Sequence, residues 1–207
     1  MRAQKTGTDV RKEQIAQAAM ELISEDGLSS LSIAGIADRV GIVPSAVYRH
    51  YTGKDAVHDA VLELLRRRML ENVAAVCAET PDALQRLHML LKRHMAMLVE
   101  NPVFPHVVFA YFSYADHAEG WSKLNTTMCA YIHEIEQIVE QGQREGTLRA
   151  DIPSRTAAIM FIGLVLPAAM LHRISDDGFD PLAHIEAAWP AYMRGLAEDH
   201  GTENIHY

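Results

Sequence analysis

Residues 31–51, LSIAGIADRVGIVPSAVYRHY, read as two short helices joined by a tight turn. Leu31, Ile33, Ile36, Ala37 and Val40 recur at helical spacing, and Gly41 follows where a helix closing on a left-handed residue favours glycine. Pro44 opens the second helix, where its missing N–H costs nothing. Val47 and Tyr51, four apart, share a face that can pack under the first helix and leave Ser45 and Arg49 outward. Two helices crossing at such a turn form a helix-turn-helix, whose second helix enters the DNA major groove.

The surrounding composition suits a globular protein with a sizeable core: of 207 residues, 49% are hydrophobic and 22% charged. The net charge of -8 is unevenly spread. Residues 1–55 balance seven Lys/Arg against seven Asp/Glu, whereas residues 56–207 hold 12 against 20, so the acidity lies outside the motif. A phosphate-facing surface needs local cations rather than a basic whole, which leaves DNA binding permitted. The polar start has no apolar signal core, and the longest apolar run, 157–171, is too short to cross a bilayer and contains Pro167. We therefore expect a cytoplasmic protein with no membrane partner and read that run as a buried helix. Cys77 and Cys129 are too few for a disulfide framework.

Helical periodicity extends through the rest of the chain. It predicts a helix over 11–25, a long one from Thr52 as N-cap to about 79, and others over 84–100, 120–143, 154–174 and 182–198. The aromatic piece 103–117, VFPHVVFAYFSYADH, is punctuated by proline and is left without a helix. No β-alternating run stands out. The expected fold is all-α with about nine helices: a three-helix N-terminal DNA-binding domain over 1–55 and a C-terminal helical bundle over 56–207 for ligand binding and dimerisation.

The block AAMELISEDGLSSLSIAGIADRVG, the run Tyr48-Arg49-His50-Tyr51, the turn Gly53-Lys54-Asp55 and the later EQGQREGTLRADI together resemble the TetR/AcrR family of bacterial one-component transcription regulators. The resemblance implies that Ser32 and Lys54 touch phosphates and that Tyr48 and His50 meet the backbone. It also implies that Pro44, Ser45 and Arg49 face base edges or flanking phosphates, with Val43 among the contact residues. Val43 stands where the family commonly has a capping serine, so that helix start needs another partner or water. Ala34 and Gly35 leave the start of the first helix without a long polar side chain. The resemblance further implies a homodimer through the last two helices, bound to a palindromic double-stranded operator and released by a small hydrophobic effector; we expect a repressor, although the sequence does not itself fix the sign of regulation. Met69, Leu91, Met95, Phe109, Phe112, Trp121, Met128 and Tyr131 are the candidate effector-lining residues, soft or flat side chains that suit an apolar cavity.

Two other classes compete. The 11 histidines, with Cys129 and His133 at i, i+4, admit a metal- or haem-responsive sensor, yet no CxxC or HExxH motif or dense cluster occurs, and we expect no metal or cofactor. A small helical enzyme lacks its usual marks, since no glycine-rich phosphate loop, GxSxG elbow or paired carboxylate arrangement is present, so no catalytic residue is assigned. Arg66-Arg67-Arg68 reads as the solvated face of the long helix rather than a second phosphate patch.

Overall fold

The structure is a computed structural model that describes residues 7–101, 103–113, 118–175 and 178–197, without the side chains at 112, 113, 118–121, 123 and 173. Among the described residues nine α-helices account for nearly all regular structure: α1 (Gly7–Asp26), α2 (Ile33–Val40), α3 (Pro44–Tyr48), α4 (Lys54–Glu79), α5 (Ala83–Glu100), α6 (Val103–Ser113), α7 (Ala118–Arg144), α8 (Ser154–Ile174) and α9 (Pro181–Leu196). The fold is all-α, as the periodicity predicts. The aromatic segment differs from expectation: Pro105 falls in the first turn of α6, where proline is tolerated, so the helix forms around it. Likewise α4 starts at Lys54, and Thr52 stands too far upstream to be its cap.

The chain divides into two compact units, Met1–Arg68 with Asn101–Cys129, and Met69–Glu100 with Ala130–Tyr207. These packing units do not coincide with a cut at residue 55, because α6 packs on α1 and joins the first unit. Helices α4 and α7 each run on from one unit into the other.

In the first unit α1 presents Ile15, Ala19, Met20 and Ile23 to the core, where Leu31, Ile36, Ala37 and Val47 from α2, α3 and their approaches are also buried. Ser32 caps α2, its side-chain oxygen accepting the Gly35 N–H at 3.0 Å. At the other end Gly41 takes φ 73, ψ 39, and the Ile42 N–H reaches back to the Ala37 carbonyl at 2.9 Å. A side chain at that φ would crowd its own carbonyl, which explains glycine at this turn. Arg39 then straps α2 to α1 through a two-pronged pair with Glu25, 2.8 and 2.6 Å, and its guanidinium holds the Glu25 carboxyl below the usual carboxylate range.

In the second unit α5 packs against α8 and α9. Arg86 fastens its start, with Nε donating to the Thr80 carbonyl at 2.7 Å and one terminal nitrogen to the Cys77 carbonyl at 3.1 Å, while the other meets Gln141 of α7. After α7 the loop folds back so closely that a Cβ on Gly142 would stand 2.7 Å from Leu148 Cδ1, so any side chain there would displace the buried Leu148. The loop is then tied to the end of α9, the Arg149 N–H donating to the Leu196 carbonyl at 2.9 Å.

Expected burial of α8 needs correction. By length and composition its segment Ser154–His172 could cross a membrane. Ala157, Ala158, Phe161 and Val165 are buried, but Ile159, Met160, Leu171 and Ile174 are exposed, so the helix is covered on one side only.

A buried pair links α5 to α7: the Tyr131 hydroxyl lies 2.8 Å from His94 Nδ1, and the rings meet edge to face. Burial pushes the His94 pKa down to about 4 from its ordinary 6.5. The unfolded chain takes up this proton near pH 6.5, whereas the folded chain resists it until about pH 4. Stability is therefore lost as pH falls through that window, by at most ~3 kcal/mol from this group. Urea unfolding followed by circular dichroism should show the loss between pH 7 and 4.5 in the wild type and a blunted loss in His94→Phe; equal acid sensitivity would contradict it. Gly41→Ala should cost about 1–2 kcal/mol and lower the melting temperature. No neighbouring atom lies where its Cβ would go, so an unchanged melting temperature would show that the left-handed turn imposes no strain.

Candidate nucleic-acid interface

The recognition segment is built from outside in by the residues that hold it. Val47, fully buried, is the peg of α3, and Tyr51 is half-buried with its hydroxyl donating to the Lys12 carbonyl of α1 at 3.1 Å. Burial raises the Tyr51 pKa, so it remains a hydroxyl donor. These two contacts orient a short helix that closes at Tyr48, with Arg49 and His50 in the following turn.

On the opposite side Val43, Pro44, Ser45, Tyr48 and Arg49 are all exposed, Tyr48 at 57% and Val43 at 60%. An aromatic ring and a valine left in water without a core to fill form a surface that suits contact with a partner. Val43 occupies the N-cap position of α3 with extended backbone and no side-chain hydrogen bond; Pro44 has no N–H and the Ala46 N–H donates to the Val43 carbonyl at 2.8 Å, so the Ser45 N–H is the donor of this first turn left for water or a ligand oxygen. Ser32 is exposed too, and while its oxygen accepts the α2 cap bond its O–H proton remains free to donate. Lys54 opens α4, exposed, and His50 is half-buried. All eight predicted contact positions therefore fall on α3, its flanking turns, or the first residues of α2 and α4.

Two groups of cations stand apart in the first unit. Arg39 is committed to Glu25, Arg66 to Glu63 at 2.7 Å and Arg67 to Glu13 at 2.9 Å, while Arg68 reaches Gln17 and lies over the Phe104 ring at 5.4 Å. The arginine run is thus half-buried and engaged within the fold, Arg67 and Arg68 reaching α1 and Phe104, where the sequence predicts a solvated helix face. Lys12, Arg49 and Lys54 are exposed and make no ion pair among the described residues. Lys12 was missed by sequence reasoning. Nothing in its spacing marks it, and only the Tyr51 hydrogen bond places it beside the end of the recognition segment.

The candidate effector-lining residues distribute differently. Met69, Leu91, Met95 and Tyr131 are buried in the second unit, with Leu91 and Met95 one turn apart on α5. Phe109 and Met128 belong to the first unit, where Phe109 is 54% exposed. The side chains of Phe112 and Trp121 lie outside the described residues. No group of three His, Cys, Asp or Glu side chains able to hold a metal occurs among the described residues. Cys129 instead contacts Asn125 at 3.6 Å, and His133 faces Glu136 at 3.7 Å.

Comparison with known proteins agrees with this geometry. Residues 15–61 match the family model for bacterial regulatory proteins of the tetR family, and residues 65–189 match that for the C-terminal region of YsiA-like proteins. The nucleoid occlusion factor SlmA of Vibrio vulnificus is 23% identical over 181 residues, covering 86% of this chain and 92% of its own. Among solved structures, the fatty acid degradation regulator FadR of Bacillus halodurans superimposes with a TM-score of 0.78 at 19% identity, over 92% of this chain and 97% of its own. FadR of Bacillus subtilis, solved in complex with stearoyl-CoA, gives 0.76 at 19% identity over 88% and 97%. At such identities the structures establish a shared fold. With matched segments running through both units and a helix-turn-helix surface in the first, the chain belongs to the TetR family of DNA-binding bacterial transcription regulators.

Proposed function

We propose that the chain is a homodimeric repressor that binds a palindromic operator and leaves it when a small hydrophobic molecule enters the C-terminal unit. The observation that carries the DNA half is the α3 surface, where Ser45, Tyr48 and Arg49 stand exposed over a buried Val47. Ser45 and Arg49 supply edge-reading chemistry, an arginine fork matching guanine best. Ser32, Tyr48, His50, Lys54 and the additional Lys12 set the register on phosphates, and Val43 and Pro44 bring the start of α3 against the groove.

Dimerisation is supported by the α8 and α9 side left bare in one chain: Ile159, Met160, Leu171, Ile174 and Leu182 are each more than 40% exposed. An apolar patch of this kind marks an interface. Val165, Ile185 and Tyr192 of the same two helices are instead spent inside the chain, the Tyr192 hydroxyl donating to the Ala157 carbonyl at 2.9 Å. A helix-turn-helix of this size reads few bases, so pairing two copies supplies the missing selectivity.

The effector reading draws on the buried Met69, Leu91 and Met95 and on the stearoyl-CoA complex of the Bacillus subtilis protein, whose fold this chain shares. A ligand in the second unit would act on the first along α4 and α7, which run through both. It works only by binding the two states unequally, and a coupling of about 1–3 kcal/mol suffices.

The test is a gel-shift titration on the DNA upstream of the chain's own gene. The wild-type complex should carry an even number of chains. Tyr48→Ala and Arg49→Ala, both surface changes, should weaken it about tenfold each, or about 1.4 kcal/mol, with unchanged melting temperatures. Binding by both variants as tight as wild type would overturn the assignment.

A further inference from the structure

His94 is the polar group that the interior of the second unit does not explain. Among the described residues the buried polar side chains are Thr80, His94 and Thr127. Thr80 is used at the joint before α5, bonding Gln85 and the Asp82 N–H, and Thr127 belongs to the first unit. Around His94, α5 buries Leu87, Leu90, Leu91, Met95 and Leu98. A histidine 6% exposed in such company needs both ring nitrogens satisfied.

One is: Nδ1 faces the Tyr131 hydroxyl. The ring makes no other hydrogen bond among the described residues, and neither does Tyr131. If Nδ1 carried the proton, the buried Tyr131 O–H and Nε2 would both lack a partner. If Tyr131 donates to Nδ1, only the Nε2–H remains over, so the second arrangement is favoured. Among the described residues no fully buried side-chain nitrogen or oxygen is without a partner, so Nε2 retains some solvent contact and is not sealed into the core. The result is a fixed neutral donor in an apolar surround. An oxygen acceptor matches it, and a neutral carbonyl oxygen enters such a place at far lower desolvation cost than a carboxylate.

We propose that His94, oriented by Tyr131, is the polar anchor of the effector site and donates from Nε2 to the carbonyl oxygen of a neutral acyl compound: an ester, thioester or ketone on an apolar chain. This rests on the ligand-responsive reading above and narrows it to a ligand class.

The experiment is isothermal titration of the full-length protein with two probes of matched length, methyl decanoate and decyl methyl ether, which differ in the carbonyl. Wild type should bind the ester about tenfold more tightly, one hydrogen bond's worth. His94→Phe should abolish that preference while leaving ether affinity within about twofold, since the flat ring is retained. Decanoyl-CoA and 2-undecanone, run alongside, should show the same dependence on His94 and separate thioester from ketone sources. Nitrogen-15 spectra of the wild-type histidines provide a readout free of substitution: a neutral, Nε2-protonated His94 whose Nε2 resonance moves with the ester and not with the ether. Equal affinity for ester and ether in wild type, or a variant that weakens both alike, would overturn the carbonyl anchor and leave the ligand-responsive reading intact. Failure of every probe to bind wild type would remove both.

Discussion

Everything in the DNA-facing unit depends on a sharp, fixed turn between α2 and α3, and that turn depends on one backbone angle. Gly41 at φ 73 lets α2 stop and the chain reverse within three residues, so that Pro44 can begin α3. With the turn fixed, Val47 drops into the core formed by α1 and α2, and the same geometry obliges Ser45, Tyr48 and Arg49 to face out. The Ser32 cap, the Arg39–Glu25 strap and the Tyr51–Lys12 hydrogen bond then fix this pair of helices to α1. Each contributes modestly by itself at an exposed site, but together they tie the recognition segment to α1 at three points.

Charge is used in the same economical way. Within an acidic chain some cations of the first unit are neutralised internally and others left open: Arg39, Arg66 and Arg67 are paired, while Lys12, Arg49 and Lys54 remain exposed on or beside the proposed DNA-facing surface. A few unpaired cations in the right place suffice, because the favourable term is counterion release at the contact surface and not the total charge.

Much of this was legible in the sequence. The glycine at the turn, the proline after it and the three-four spacing of α1, α2, α4 and α8 have local physical causes, so pattern alone places them. Three features escaped for the opposite reason. Helix α6 forms despite Pro105 because a proline in the first turn breaks no bond, and its aromatic, evenly apolar sequence carries no amphipathic rhythm. Its packing on α1 is long-range and cannot be read from spacing. Lys12 and the His94–Tyr131 pair likewise depend on partners 39 and 37 residues away, contacts that only the folded chain reveals. The apolar content of α8 and α9 was visible, but not which residues would be consumed within the chain and which left bare.

Reading of DNA by two paired copies of the α2–α3 unit, as proposed, leaves a distinctive mark in hydroxyl-radical footprinting of the wild-type protein on its own upstream region. Two protected stretches on one face of the duplex, centred about 34–36 Å apart and both lost in Tyr48→Ala, are the predicted result. A single protected stretch, or protection that survives that substitution, would contradict it.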